Sequence, residues 1–170
     1  SYIGGGYREG PPAKGNLRQM SATTQAYANE FDGFYPPAQW NDRGKLEWDF
    51  AVEDGKIVPG LLWRGRTHMA IQQCPTFTGK SNSAGDPYTG YNYNASYIGG
   101  GYREGPPAKV TQVRRPAETV LFGDGQWKQG GNKFMRSPAI SPRELKWLGP
   151  AWHDPVNRAA GTQGFRHRNR

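Results

Sequence analysis

Residues 16–37, NLRQMSATTQAYANEFDGFYPP, hold the one long run of helical periodicity in the chain. Leu17, Met20, Thr24, Tyr27 and Phe31 recur at spacings of three and four, which places them on one stripe of an α-helix. Asn16 stands where a cap is needed, since its side-chain oxygen can accept from an amide of the first turn. Asp32-Gly33 closes the pattern, because Gly33 can take the left-handed conformation that ends helices. Pro36-Pro37 then forbids continuation. The expectation is a helix of about four turns. Beyond Pro37 the chain reads as short apolar pieces between Gly- and Pro-rich loops. The predicted fold class is therefore α+β: one N-terminal helix packed on a small antiparallel sheet, with Leu17, Met20, Thr24, Tyr27 and Phe31 facing that sheet. On this reading Tyr27→Asp or Phe31→Asp buries an unpaired carboxylate and costs several kcal/mol.

The strand signals are shorter. Lys45–Val52 (KLEWDFAV) predicts a half-buried strand with Leu46, Trp48 and Phe50 on one face. Glu53-Asp54-Gly55-Lys56 predicts a hairpin turn. Ile57–Gly65 is apolar but broken by Pro59-Gly60, and reads as a strand or a short helix start. Gly90–Ala95 (GYNYNA) predicts a strand with one aromatic face, continued by Tyr97. Glu118–Phe122 (ETVLF) carries the strongest strand pattern, ending in a tight turn at Gly123-Asp124-Gly125. Residues 76–89 form a long polar loop, and Pro142–Leu148 a short helical turn.

One oddity cuts across this order. SYIGGGYREGPPAK stands at residues 1–14 and again, identical at every position, at residues 96–109. Two copies do not make a solenoid. Identity without drift points to a recent or engineered origin, so residues 1–15 are read as a duplicated or engineered segment and residues 16–170 as a single globular head.

Composition excludes several classes. Only 35% of residues are hydrophobic, yet 13% are aromatic and six are Trp. That favours a loop-rich fold with large rings in its core over a disordered chain. A single cysteine, Cys74, permits no intrachain disulfide and no cysteine zinc site. No apolar run reaches the roughly 18–20 residues that span a bilayer. The net charge is +8. Residues 1–95 balance at nine basic and nine acidic, whereas residues 96–170 carry thirteen basic and five acidic. The tail GFRHRNR is the densest basic part, but no groove-reading motif accompanies it, so nucleic acid is not the expected partner.

Signals for chemistry are few. No phosphate loop, nucleophile elbow, zincin motif or dinucleotide fingerprint is present. His68, His153 and His167 have no metal-ligand spacing. Asp124, between two glycines, is the one candidate ligand for a hard cation such as Ca²⁺, set against an ordinary turn aspartate. The expectation is no catalytic residue and no cofactor. Trp40, Trp48, Trp63, Trp127, Trp147 and Trp152, with the tyrosines, leave a second reading open: a secreted or surface carbohydrate-binding module that stacks exposed rings on sugars.

Taken in order, residues 16–37, Gln73-Cys74-Pro75-Thr76, Gly90-Tyr91-Asn92-Tyr93-Asn94, residues 120–125 and residues 161–167 (GTQGFRH) resemble the bacterial type II secretion pseudopilin-like and type IV pilin-like proteins. More narrowly, they resemble the subfamily with a prepilin cleavage signal at one end and a His-(nine residues)-Asp-Gly segment at the other. The resemblance covers residues 16–170. It departs at both ends: residues 1–15 stand where the apolar half-helix belongs, and His167 matches the motif histidine without its Asp-Gly. The resemblance implies a non-catalytic subunit of a pseudopilus or pilus-like filament, linked to protein secretion or surface attachment. It implies an inner-membrane anchor through a helix absent from this chain, a periplasmic or extracellular head, and other pilin-like subunits and secretion machinery as partners.

Overall fold

Helix α1 spans Pro11–Glu30. The computed structural model of the chain describes residues 11–40, 45–64, 69–79, 86–88, 90–101, 105–125 and 133–135. The helix begins before Asn16, which lies inside it rather than at its cap. Proline is well suited to a helical first turn, where its missing N–H has no intrahelical partner to lose. The far end follows the sequence pattern. Asp32 (φ 50°) and Gly33 (φ 78°) are left-handed, and the Gly33 amide donates to the Ala28 carbonyl at 2.8 Å.

Leu17, Met20, Thr24 and Ala28 are buried along one stripe of α1. The Thr24 hydroxyl satisfies itself on the Met20 carbonyl at 2.8 Å. Tyr27 is only half-buried, and Phe31 is 49% exposed, stacked on Tyr27 at 4.2 Å. The expected packing of Phe31 on the sheet therefore fails. The helix ends at Glu30, and the left-handed reversal turns the chain before Phe31 can join the stripe.

The first sheet is antiparallel and runs β1 (Gln39–Trp40), β2 (Leu46–Glu47), β3 (Phe50–Glu53), β4 (Lys56–Pro59) in order. The single strand expected over residues 45–52 is instead a tight hairpin. Leu46 pairs with Ala51, and Trp48-Asp49 make the turn. Neighbouring elements take up the backbone groups of that turn: Trp48 N donates to Ala38 O, Leu62 N to Trp48 O, and Gly60 N to Asp49 O. The β3–β4 hairpin is the predicted one, with Asp54 (φ 51°) and Gly55 (φ 73°) both left-handed between Glu53 and Lys56. After β4 come two 3-10 turns, Leu61–Trp63 and Met69–Gln72, on which α1 packs.

The second sheet has β5 (Tyr91–Asn94) at its centre, antiparallel to β6 (Phe122–Asp124) and parallel to β7 (Phe134–Met135). All four β5 residues are buried, so both faces of the strand are interior and Asn92 and Asn94 lie inside with the tyrosines. Tyr97 leaves the strand in a π-helical turn, Ala95–Gly99, and is 48% exposed. The strongest sequence strand, residues 118–122, is mostly a turn: Glu118 N and Thr119 Oγ1 both donate to Arg115 O. Pro116 initiates that turn, and the strand begins at Phe122. Gly123-Asp124, expected as a turn, belong to β6.

The second repeat copy is a bracket. Ala108 N donates to Ile98 O and Tyr35 N to Ala108 O, while Phe34 bridges to Lys109. The loop is pinched at Gly101 and Gly105, which exchange backbone bonds. Pro-Pro-Ala-Lys is thus the first turn of α1 at residues 11–14 but irregular, outside any helix, at residues 106–109. Context, not the tetrapeptide, decides. The core lies between the sheets and α1, where Trp48, Tyr93 and Phe122 meet at ring separations of 5.1–5.6 Å. The class is α+β. Among the described residues no helix is long and apolar enough to cross a membrane.

Candidate functional site

Two features stand out from this frame. The first is the outer side of α1. Arg18, Ala22, Gln25 and Asn29 are exposed and recur at spacings of four, three and four, so they form a continuous, mostly polar face to one side of the buried stripe. Gln25 Nε2 donates to Asn29 Oδ1 at 3.2 Å along it. Arg18, Ala22 and Gln25 of this face also line a cleft of about 450 Å³ that opens between α1 and residues 110–121, with Ile98, Val113 and Leu121 on its other wall.

The second feature is a buried charge cluster that joins the two sheets. Lys133 precedes β7, and its ammonium lies 2.6 Å from Glu47 Oε2, 3.1 Å from Asp49 Oδ2 and 3.1 Å from Asp86 Oδ1. Lys45 reaches the same Asp86 oxygen at 2.9 Å. Both ammoniums sit over the Phe50 ring, Lys133 at 3.9 Å and Lys45 at 4.5 Å. Lys133, Glu47, Asp49 and Asp86 are each at most 5% exposed at the side chain.

The main chain fixes this geometry. Lys133 O accepts from Trp48 Nε1 at 3.2 Å and from Tyr93 N at 2.8 Å. Asp49 O accepts from Gln72 Nε2 at 3.0 Å and from Gly60 N at 3.2 Å. Gln72 is itself held by Trp63 Nε1. The Asp49 carboxyl is raised to about 7, chiefly by burial, with Lys133 opposing the rise and Glu47 and Asp86 adding to it. For Lys133, burial alone lowers the ammonium's pKa, but the three carboxylates outweigh it and the net shift is upward.

The residues singled out from sequence are not brought together. Asp124 is half-buried in β6, paired with Tyr91. Among the described residues no group of three or more His, Cys, Asp or Glu is arranged to hold a metal ion. Cys74 is a buried core residue beside Thr76, 3.3 Å from its hydroxyl. Trp48 and Trp63 are buried and have no face to offer a sugar, while Trp40 is 50% exposed. Trp127, Trp147, Trp152, His68, His153, His167 and the basic tail lie outside the described residues. The charge cluster was missed. Its trace in the sequence is the alternation of Lys45, Glu47 and Asp49 with Leu46, Trp48 and Phe50, charges threaded through rings.

No family model, no curated protein and no solved structure matches this chain.

Proposed function

We propose that this chain is the head of a pilin-like filament subunit, a structural protein that turns over no substrate. The observation that carries the reading is α1. It is the one long helix among the described residues, fastened by one stripe to its own core and leaving a continuous second face exposed. A helix built this way is anchored on one side and available for a neighbour on the other. On this reading the fold is pilin-like, the partners are further copies and secretion machinery, and the head sits outside the inner membrane at the end of an anchoring helix.

The test is disulfide trapping in a bacterial host expressing the full coding sequence. Cysteines at Ala22 and Gln25 on the exposed face are compared with one at the buried Thr24. The expected result is oxidant-dependent dimers and longer ladders from the exposed positions alone. Monomers at both exposed positions would overturn the reading.

A further inference from the structure

The cluster around Lys133 holds the parts of a bond-forming site. A primary amine, a carboxyl carbon flanked by oxygens 3.1 and 3.3 Å from that amine, and a second carboxylate oxygen at 2.6 Å are enclosed together. Both reacting residues are pinned through their own carbonyls, Lys133 by Trp48 and Tyr93 and Asp49 by Gln72 and Gly60, so little freedom remains to be lost before they meet. Three carboxylates face two ammoniums, Lys133 and Lys45. Among the described residues one carboxyl is therefore left without a counter-charge, and in a water-poor interior it is held as the neutral acid. Asp49, which turns both carboxyl oxygens to Lys133 and whose carboxyl is raised chiefly by burial, is that acid. Neutral acids are open to attack by an amine; carboxylates are not.

We propose that Lys133 and Asp49 condense to an intramolecular isopeptide bond, with Glu47 as the proton carrier. Glu47 Oε2 takes a proton from the Lys133 ammonium. The freed lone pair attacks Asp49 Cγ, the N–C bond forms, and the carbonyl electrons move to oxygen. Glu47 passes its proton to the hydroxyl, the C–O bond breaks and water leaves. The carbonyl re-forms, and the amide nitrogen returns its remaining extra proton to Glu47. The balance is one ammonium, one carboxylic acid and one carboxylate in, and one amide, one water and one carboxylic acid out. No oxidant, metal or other reactant enters. The product removes two charges from the interior and leaves Lys45 with Asp86 as the remaining ion pair, so burial itself favours the forward direction. The bond ties the β2–β3 turn to the entry of β7 and so staples one sheet to the other. It stands independently of the filament reading.

Intact-mass spectrometry of the purified chain tests this. The expected mass is below that of the sequence by one water, and digestion yields a branched peptide joining Lys133 to Asp49. Glu47→Gln keeps both reacting groups and is expected at full mass, as is Lys133→Arg. A chain that melts cooperatively yet keeps its full mass after prolonged incubation at neutral pH would overturn the proposal. So would a water loss that persists in Lys133→Arg or maps to Asp54-Gly55 or Asp124-Gly125.

Discussion

Lys133 Nζ contacts both carboxylate oxygens of Asp49, a residue 84 positions earlier in the chain, at 3.3 and 3.1 Å. The two residues come from different sheets: Asp49 from the turn between β2 and β3, Lys133 from the residue before β7. Their contact is what makes the sheets one body at this point, since Trp48 beside Asp49 also donates to the Lys133 carbonyl. A buried ion cluster is costly to assemble and costlier to leave half made. Removing one partner, as in Lys133→Ala, would leave buried carboxylates unpaired and is expected to cost about 3–5 kcal/mol.

The stripe of α1 grades sharply from buried to exposed. Met20 is wholly buried, so Met20→Ala is expected to cost about 2–5 kcal/mol. Phe31→Asp, on a half-exposed ring past the helix end, is expected to cost less than about 1 kcal/mol. Urea unfolding of the two variants, side by side, checks the ordering.

Two glycines should respond in opposite directions to alanine. Gly15 lies within α1 with open space around an added Cβ, so Gly15→Ala is expected to stabilise by about 0.5–1 kcal/mol. At Gly60 a Cβ would run into the backbone of Asp49 and Phe50 and lie 2.5 Å from Glu47 O. Gly60→Ala is expected to destabilise by about 3 kcal/mol or more, as overpacking against main chain does. Thermal melts of both variants measure this.

Asn92 sits at the centre of β5 with neither its amide nitrogen nor its oxygen hydrogen-bonded. An unpaired buried amide costs about 1–3 kcal/mol. Asn92→Val removes both polar atoms and suits a strand, so its melting temperature is expected to rise. Differential scanning calorimetry reads the change directly.

Alkaline stability should depend on Tyr93. Burial, then the neighbouring Tyr35 and Tyr27, raise its phenol well above the ordinary 10.0. Above that ordinary value the unfolded chain gives up a proton that the folded chain keeps, so stability falls as pH rises past it. Tyr93→Phe is expected to make this fall shallower. Tyr91, Tyr27 and Tyr35 are raised too, so a slope remains. At neutral pH the same variant loses the 2.9 Å bond to Pro36 O and about 1 kcal/mol. Denaturant curves at neutral pH and about pH 11 separate the two effects.

The helix, its left-handed ending and the Asp54-Gly55 hairpin were legible because each depends on local chemistry. The β2–β3 reversal was not. Leu46, Trp48 and Phe50 alternate as a strand should, and only bonds to Ala38, Gly60 and Leu62 make Trp48-Asp49 a turn. Residues 118–121 failed for the converse reason: their apolar, β-branched composition promised a ladder, but Pro116 and the Arg115 carbonyl hold them in a turn. The charge cluster was hidden because its members are scattered from Lys45 to Lys133, and no spacing rule links residues that meet only through tertiary packing.

Whether α1 carries its outer face into contacts between copies is tested most directly by cryo-electron microscopy of surface filaments from a bacterial host expressing the full coding sequence. The expected map is a filament in which Arg18, Ala22 and Gln25 of each copy lie against a neighbouring copy. Filaments that leave this face in solvent, or a protein that stays monomeric in that host, would contradict it.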